Sequence, residues 1–313
     1  MTPSCEQPQG ALVLRTYQEL DQFVGAFADG LLNLLLIIGR PGVQKSHAVK
    51  AALGRRACWI DGSATAFGLY CQLYRHRDRP VVIDDVDGLY ADRAAVRLLK
   101  CLCQTEPRKR LGWYSAAVAG RRAPPEGWSG IPTSFETTSR VAILANELRT
   151  LNVNVAAVLD RGHVLVFDPA ARDVHLRTAG WFWDQEVFDF IGRSLHLAER
   201  LSMRDYTLAW ELKRAGMDWK SWLLARWGMT GKRLLVAQLK ANPSLNTEAQ
   251  RVRAFIEQQG GCRATYYNHA KKLGPSVELP DIRLNNLPPD RTADSLLDLL
   301  RRRFGMLGSD EPQ

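Results

Sequence analysis

The sequence predicts an α/β fold in which a parallel sheet forms a three-layer core, followed by smaller helical domains. Two observations indicate this class. Over the first half of the chain, short apolar runs with the length of buried strands alternate with segments of helical spacing, which is the pattern of a parallel sheet covered by helices. After Asp168 the pattern becomes helical. The 313 residues suffice for two or three domains with a sizeable core.

The core elements follow one another in order. Thr16 is placed to cap a helix that reaches about Phe27. Residues 104–139 form a basic insertion with several prolines and glycines, which we predict to be irregular and either functional or mobile. Its charge runs, such as Arg108-Lys109-Arg110, are expected to be solvated or to contact DNA. The predicted strands are 34–38, 57–60, 81–85, 140–145 and 163–167, and the helices between them are 45–53, 64–75, 91–103 and 152–159.

The second half of the chain predicts a helical lid and a small helical C-terminal domain. Helices near 184–196, 202–215 and 218–227 form the lid, and Ser202 and Asp218 are placed to cap two of them. The predicted domains are 1–175 for the core, 176–230 for the lid and 231–313 for the C-terminal domain.

The composition is that of a globular protein with a strong positive charge. Apolar residues make up 46% of the chain and charged residues 24%, which argues against wholesale disorder. The six cysteines are scattered, so we expect reduced thiols. Because no apolar stretch reaches spanning length and the first residues are polar, we expect a cytoplasmic protein without membrane contact. The net charge of +9 favours an anionic partner, with nucleic acid as the first choice.

A glycine-rich turn from Gly39 to Ser46 follows the apolar strand 34–38. A buried strand, such a turn and a Lys-Ser pair that opens a helix are the parts of a phosphate-binding loop. Backbone N–H groups of the turn and of the helix N-terminus point at phosphate oxygens, Lys45 neutralises phosphate charge, and the Ser46 hydroxyl holds Mg²⁺. The predicted phosphate-binding residues are Gly39, Arg40, Pro41, Gly42, Val43, Gln44, Lys45, Ser46 and His47.

The strand at 81–85 ends in two carboxylates, Asp84 and Asp85. Three β-branched residues precede them, which is typical of a buried parallel strand. In open α/β sheets, ligands lie at the carboxyl ends of the strands. We therefore expect Asp84 to reach Mg²⁺, directly or through water, and Asp85 to polarise an attacking water.

The order of these motifs resembles that of the AAA+ ATPases. The turn at Gly39–Ser46 looks like their Walker A motif, and Val81–Asp85 looks like Walker B. The resemblance covers about residues 12–228. It implies a P-loop ATPase core with a helical lid, ATP and Mg²⁺ as ligands, and assembly into a homo-oligomer. Within the family, the chain is similar in kind to replication initiators, helicase loaders and mobile-element helper ATPases.

The resemblance implies roles for three more residues. Asn146 sits where the family places its sensor 1 polar residue, or it satisfies backbone groups at a strand end. Arg161 is similar in position to the arginine finger that acts on a neighbouring subunit's nucleotide, or it pairs with an acid such as Asp160. Arg204 resembles the sensor 2 arginine of the lid, or it pairs with an acid such as Asp205.

Two residues depart from the family pattern. Gln44 replaces the glycine that usually precedes the lysine, and its side chain either crowds the phosphates or points away from them. Asp85 replaces the commoner glutamate, although replication initiators of this family resemble it with a second aspartate. Nucleotide binding is predicted in either case, and a non-hydrolysing, ATP-dependent switch is the alternative to hydrolysis.

The C-terminal domain contains a segment that fits a helix-turn-helix. A helix at 248–258 leads through two glycines into a second helix at 264–272, and residues 251–272 carry five Lys or Arg and one acid. We expect the second helix to bury Ala264 and Tyr267 and to contact duplex DNA with its other side. The alternative is an ordinary helical hairpin with a solvated basic face. The predicted DNA-binding residues are Arg263, Thr265, Tyr266, Asn268, His269, Lys271 and Lys272.

Three functions fit these predictions. The first is a DNA-associated AAA+ ATPase that assembles on or remodels a DNA-bound complex in replication, transposition or mobile-element maintenance. The second is the non-hydrolysing switch. The third is an AAA+ remodeller of a protein substrate, in which the helical tail binds a protein partner.

Overall fold

The computed structural model describes residues 10–114, 131–147, 156–242, 244–273 and 279–284. The chain divides into two compact units, one that contains the residues up to Pro169 and one that starts at Ala170. None of the described helices has the length and apolar character that a membrane crossing requires. The division into three domains stays a prediction.

The first unit contains a sheet of six parallel strands. The strands of this unit are β1 (Leu12–Leu14), β2 (Leu34–Ile38), β3 (Cys58–Asp61), β4 (Val81–Asp84), β5 (Lys109–Gly112), β6 (Ser134–Thr137), β7 (Val141–Ala145) and β8 (His163–Phe167). In the sheet the order is β1, β8, β2, β7, β4, β3, and each neighbouring pair is parallel. Because β7 lies between β2 and β4, the residue that follows it stands between the ends of those two strands.

Helices cover both faces of this sheet. The helices of the unit are α1 (Tyr17–Ala28), α2 (Lys45–Leu53), α3 (Ala66–Arg75), α4 (Asp87–Ala91), α5 (Arg93–Leu102) and α6 (Ala156–Leu159). One face packs on α3, α4 and α5 through residues such as Leu36 and Ile83. Side chains alternate along a strand, so Leu35 and Val82 point to the opposite face, where they are also buried and where α1 and α2 lie. The predicted parallel α/β class is confirmed.

Helix boundaries in this unit follow local side-chain signals. Thr16 and Glu19 form a capping box at the start of α1, in which each side chain accepts a hydrogen bond from the other's backbone N–H. Asp92 separates α4 from α5, because its carboxylate accepts hydrogen bonds from Ala94 N and Ala95 N and so caps the second helix. The helix predicted at 91–103 corresponds to α5, and α4 before it was not predicted.

The insertion predicted as irregular begins and ends in an antiparallel pair of strands, β5 and β6. Phe135 packs on Tyr70 of α3 and attaches this pair to the core. Lys109, predicted in a solvated or DNA-contacting run, is instead buried, and its Nζ lies 2.7 Å from both Asn33 Oδ1 and Ser139 O. Burial lowers the pKa of this ammonium. The remainder of the insertion, 115–130, lies outside the described residues.

The second unit is helical in its described residues. Its helices are α7 (Ala171–Thr178), α8 (Gln185–Arg193), α9 (Met203–Arg214), α10 (Trp219–Arg226), α11 (Gly231–Ala241), α12 (Glu248–Glu257) and α13 (Arg263–Ala270). The sequence analysis did not predict α7 or α11. Helices α11, α12 and α13 share a small core made of Val236, Leu239, Val252, Phe255 and Tyr266.

Candidate active site

The loop between β2 and α2 begins with Gly39, where there is little room for a side chain. A Cβ atom on Gly39 would stand 2.4 Å from the carbonyl oxygen of Phe167 at the end of β8. Gly42 has a φ of 80°, in the left-handed region that glycine adopts without strain. Both glycines are therefore required by the backbone path, which brings the loop close to the end of the neighbouring strand.

Gln44 adopts the backbone conformation that explains why glycine is common at its position. Its φ is 62° and its ψ is 28°, the left-handed region. A non-glycine residue pays roughly 1–2 kcal/mol for these angles. Gln44 thus keeps the turn that a glycine would make, at a cost in strain, and α2 begins at the next residue.

Lys45 is buried within this loop. Its Nζ donates hydrogen bonds to the carbonyl oxygens of Gly39 and Arg40, and it lies 3.2 Å from Asn146 Oδ1. A phosphate oxygen is a stronger acceptor for this charged donor than a carbonyl oxygen is. The ammonium is therefore placed to exchange these contacts for the phosphates of a nucleotide.

Asn146 connects the lysine with the second carboxylate. While its Oδ1 faces Lys45, its Nδ2 donates to both carboxylate oxygens of Asp85, at 2.8 Å each. The sheet order explains this arrangement: β7, which Asn146 follows, separates the strand that leads to the loop from the strand that leads to Asp85. The three side chains form one hydrogen-bonded row along the carboxyl edge of the sheet.

Ser46 and Asp84 form a second pair at the same edge. The Ser46 hydroxyl donates to Asp84 Oδ1 over 2.8 Å. Burial raises the pKa of Asp84 above its ordinary value, while the hydrogen bond from Ser46 and the nearby ammonium of Lys50 act in the opposite direction. A hydroxyl and a carboxylate are hard oxygen ligands of the kind that Mg²⁺ prefers, so this pair fits the ion.

Asp85 stands in a strained backbone conformation, with a φ of 57°. Its N–H donates to Leu144 O, and its carboxylate is exposed apart from the bonds from Asn146. Left-handed angles at a residue other than glycine cost of order 1–3 kcal/mol and cluster at functional sites. The strain turns the carboxylate of Asp85 toward Asn146 rather than along the line of β4.

One contact of the loop was missed by the sequence analysis. The hydroxyl of Tyr17, at the start of α1, donates to Val43 O over 3.2 Å, and the Tyr17 ring packs edge-on against Phe167. Tyr17 occupies an ordinary apolar position of an amphipathic helix, so the local pattern held no signal for this role. The side chain of Arg40 donates to Pro169 O, and His47 is half-buried in the first turn of α2.

Arg161 lies at the opposite edge of the sheet. It precedes β8, and a five-residue strand separates the two edges by about 16 Å. Its Nη1 donates to the carbonyl oxygen of Lys100 in the last turn of α5 over 2.8 Å. Arg161 is therefore remote from the phosphate loop of its own subunit.

Arg204 belongs to the second unit, where it is exposed in the first turn of α9. Its neighbour Asp205 is buried and is bound by other groups: Arg226 Nε at 2.8 Å, Trp227 Nε1 at 3.1 Å and the N–H of Ser202. The suggested ion pair between Arg204 and Asp205 is therefore replaced by one between Arg226 and Asp205. The sensor role of Arg204 stays a prediction.

Helix α13 differs in phase from the predicted DNA-binding helix. Tyr266, predicted to face base edges, is fully buried and donates its hydroxyl hydrogen to Glu248 Oε2. Ala264, predicted to be buried, is exposed, and Tyr267 is half-buried. The helix is thus rotated by about one residue, and Tyr266 is corrected to a core residue. Of the other predicted DNA-binding residues, Arg263, Asn268, Lys271 and Lys272 are exposed, whereas Thr265 and His269 are half-buried.

Comparisons with known proteins give distant structural similarity. No family model and no curated protein matches the chain. A Walker-type ATPase of Pyrococcus abyssi is 10% identical, with a TM-score of 0.41 over 83% of this chain and 89% of that one. AMPPCP-bound DnaA from Aquifex aeolicus is 12% identical, with a TM-score of 0.41 over 85% and 91%. Cdc6p from Pyrobaculum aerophilum is 12% identical, with a TM-score of 0.39 over 92% and 86%.

Six parallel strands with helices on both faces carry a glycine-rich loop, a buried lysine and two carboxylates at one edge. The chain has a parallel α/β fold with a glycine-rich turn after its second strand.

Proposed function

We propose that this protein is an AAA+ ATPase that binds ATP with Mg²⁺, hydrolyses it as an oligomer, and assembles on or remodels a DNA-bound complex. The observation that carries the ATPase assignment is the row from Lys45 through Asn146 to Asp85, beside the pair of Ser46 and Asp84. The motifs that resemble Walker A and Walker B supply four of these residues, and Asn146 stands at the position that resembles sensor 1.

Nucleotide binding follows from the loop. The N–H groups of Gly42 to Ser46 and of the first turn of α2 would face the phosphates. Lys45 exchanges the carbonyl oxygens of the loop for phosphate oxygens, and its positive charge offsets theirs. Ser46 and Asp84 would hold Mg²⁺, which supplies further neutralisation of charge on the phosphate oxygens.

Hydrolysis needs a water aligned with the terminal phosphate. Asp85 is placed to accept a hydrogen bond from that water, and Asn146 to orient it or to contact the γ-phosphate. In the structure both oxygens of Asp85 accept hydrogen bonds from Asn146 Nδ2, and Asn146 Oδ1 faces Lys45. Binding of phosphate draws Lys45 away from Asn146, which leaves the amide free to turn and Asp85 free to accept the water.

The position of Arg161 favours an action in trans. At about 16 Å from the carboxyl edge of its own sheet, it reaches a phosphate only on a neighbouring subunit. An arginine finger is worth on the order of 10³–10⁵ in rate. We therefore expect a monomer to be almost inactive and oligomerisation to control turnover. Arg204 is the residue that the lid would contribute to the nucleotide site.

DNA association is supported by charge. The chain has a net charge of +9, and residues 231–273 hold eight Lys or Arg against two acids. Such an excess raises the affinity for a polyanion. The side chain of Gln44, at a position where the family pattern has glycine, favours the non-hydrolysing switch as a second candidate. Remodelling of a protein partner is the third.

Steady-state ATP hydrolysis against protein concentration, with and without duplex DNA, tests the proposal. The Lys45→Ala variant serves as the blank, after a thermal unfolding scan shows that it is folded. Turnover that rises faster than linearly and increases with DNA supports an oligomeric, DNA-coupled ATPase. Turnover equal to the blank, together with calorimetric binding of ATP, would establish the switch instead. Stimulation by a protein partner but not by DNA would favour the third candidate.

A further inference from the structure

The basic side chains of residues 231–273, which include helices α11 to α13, form two groups: those paired with a carboxylate and those that make no ion pair with a described residue. Residues 231–273 contain eight basic side chains and two carboxylates, an excess of six positive charges. Both carboxylates are engaged by basic residues of the same module. The ion pairs are Lys240–Glu248 at 3.7 Å, Arg251–Glu248 at 3.9 Å and Arg253–Glu257 at 2.9 Å.

The other five basic side chains make no ion pair with any residue that the structure describes. They come from α11, from α13 and from the turn that follows α13, and the two helices pack together. This second group consists of Lys232, Arg233, Arg263, Lys271 and Lys272.

These five side chains gather at the two ends of α13. Lys232 Nζ lies 3.4 Å from the position that a Cβ atom would take on Gly261, just before Arg263 opens the helix. At the other end, Arg233 Nη2 donates to the carbonyl oxygen of Lys272 over 3.2 Å. The first turn of α11 thus adds a basic side chain to each end of α13.

We propose that α13 and the first turn of α11 form one composite face that binds duplex DNA across the major groove. The proposal rests on the DNA-associated function proposed above. A helix of eight residues is about 12 Å long, and the major groove of B-DNA is about 12 Å wide. Basic side chains at both ends of α13 therefore match phosphates on the two strands that border the groove.

Between its charged ends, α13 presents a short side chain and an amide. Ala264 and Asn268 are one helical turn apart and both are exposed. Ala264 permits close approach, and Asn268 has the donor and acceptor that adenine pairs with. Tyr266, on the inner side, holds α13 to Glu248 and makes no DNA contact.

Fluorescence anisotropy of a labelled duplex of about 20 base pairs, titrated with the full chain at several salt concentrations, tests this face. The variants are Lys232→Ala and a matched control, Lys240→Ala, on the same helix but paired with Glu248. Because each phosphate contact contributes about 0.9 to the log–log salt slope, Lys232→Ala is expected to lower the slope by about 0.9 and to weaken binding about five-fold at 0.15 M salt. Lys232→Arg should restore both values, and Lys240→Ala should change neither.

The outcomes separate this inference from the proposed function. Duplex binding that is equally affected by Lys232→Ala and Lys240→Ala, or by neither, would refute the composite face while leaving DNA association intact. Absence of any salt-dependent binding by the wild-type chain would refute both. Equal affinity for the duplex and for an acidic polypeptide such as polyglutamate would overturn the match to the groove, because that match requires two phosphate strands about 12 Å apart.

Discussion

His175 gives the second unit a stability that depends on pH. It is buried in α7, where its Nδ1 lies 2.7 Å from the hydroxyl of Tyr206 and its ring stacks on Phe188 at 4.0 Å. Burial lowers the pKa of this imidazole to about 4, against a small opposing effect of Asp189. In the unfolded chain the same group has a pKa near 6.5.

The direction of the pH dependence follows from the two pKa values of His175, because the value in the folded chain is lower than the value in the unfolded chain. Between pH 6.5 and pH 4 the unfolded chain binds a proton that the folded chain does not, so the free energy of unfolding rises with pH in this window. The stabilisation is fully present above pH 6.5 and is lost as the pH falls toward 4. The whole shift corresponds to about 3 kcal/mol, of which about 2 kcal/mol is lost between pH 7 and pH 5.

Urea denaturation at pH 7 and pH 5, followed by tryptophan fluorescence, measures this loss. Six of the nine tryptophans lie between residues 181 and 227, so the signal reports mainly on the second unit. The His175→Gln variant should be less stable at pH 7 but should lose about 2 kcal/mol less than wild type on going to pH 5. His269→Gln, at a half-buried position of α13, is the control. If His175→Gln keeps the full wild-type pH dependence, the assignment to this histidine is wrong.

Three further predictions concern the loop and its edge of the sheet. Asn146→Ala should lower the hydrolysis rate about 10²-fold while leaving the calorimetric affinity for ATP within a few-fold, and an equal loss of both would contradict the role given to the amide. Gln44→Gly should raise the unfolding free energy by up to about 1 kcal/mol, because the loss of left-handed strain outweighs the chain entropy that glycine adds to the unfolded state. A sharp rise in turnover would favour the switch, and no change would count against it. Gly39→Ala should cost about 1–3 kcal/mol in thermal unfolding through its clash with Phe167 O, whereas Gly88→Ala, which meets no atom within 4 Å, should cost nothing.

Five strands of the parallel sheet and the glycine-rich turn could be predicted because their signals are local, whereas the short β1 and the pair β5 and β6 were missed. A buried parallel strand is apolar along its length, so β2, β4, β7 and β8 stand out in the sequence. The row that joins Lys45, Asn146 and Asp85 could not be derived in this way. It depends on β7 lying between β2 and β4, and pairing order leaves no trace in the spacing of side chains.

The error at Tyr266 has a different cause. Two adjacent tyrosines, Tyr266 and Tyr267, satisfy the same apolar spacing, so periodicity alone does not decide which of them faces the core. The choice depends on a residue eighteen positions earlier: Glu248 accepts a hydrogen bond from the Tyr266 hydroxyl, and Tyr266 is the tyrosine that faces the core. The burial of Lys109 was missed for a similar reason. Its hydrogen-bond acceptors, Asn33 and Ser139, come from separate loops, and the sequence around Lys109 does not predict these contacts.

The separation of Arg161 from the phosphate loop limits the ways in which copies of this chain can combine. If Arg161 of each copy contacts the nucleotide site of the next copy, the interface between copies is head-to-tail and joins two different surfaces. An open row of such copies always leaves one terminal site without an arginine, and only a closed ring completes every site. The activity per subunit of an open row should therefore rise with its length toward a limit, whereas a ring would reach that limit in one step of assembly.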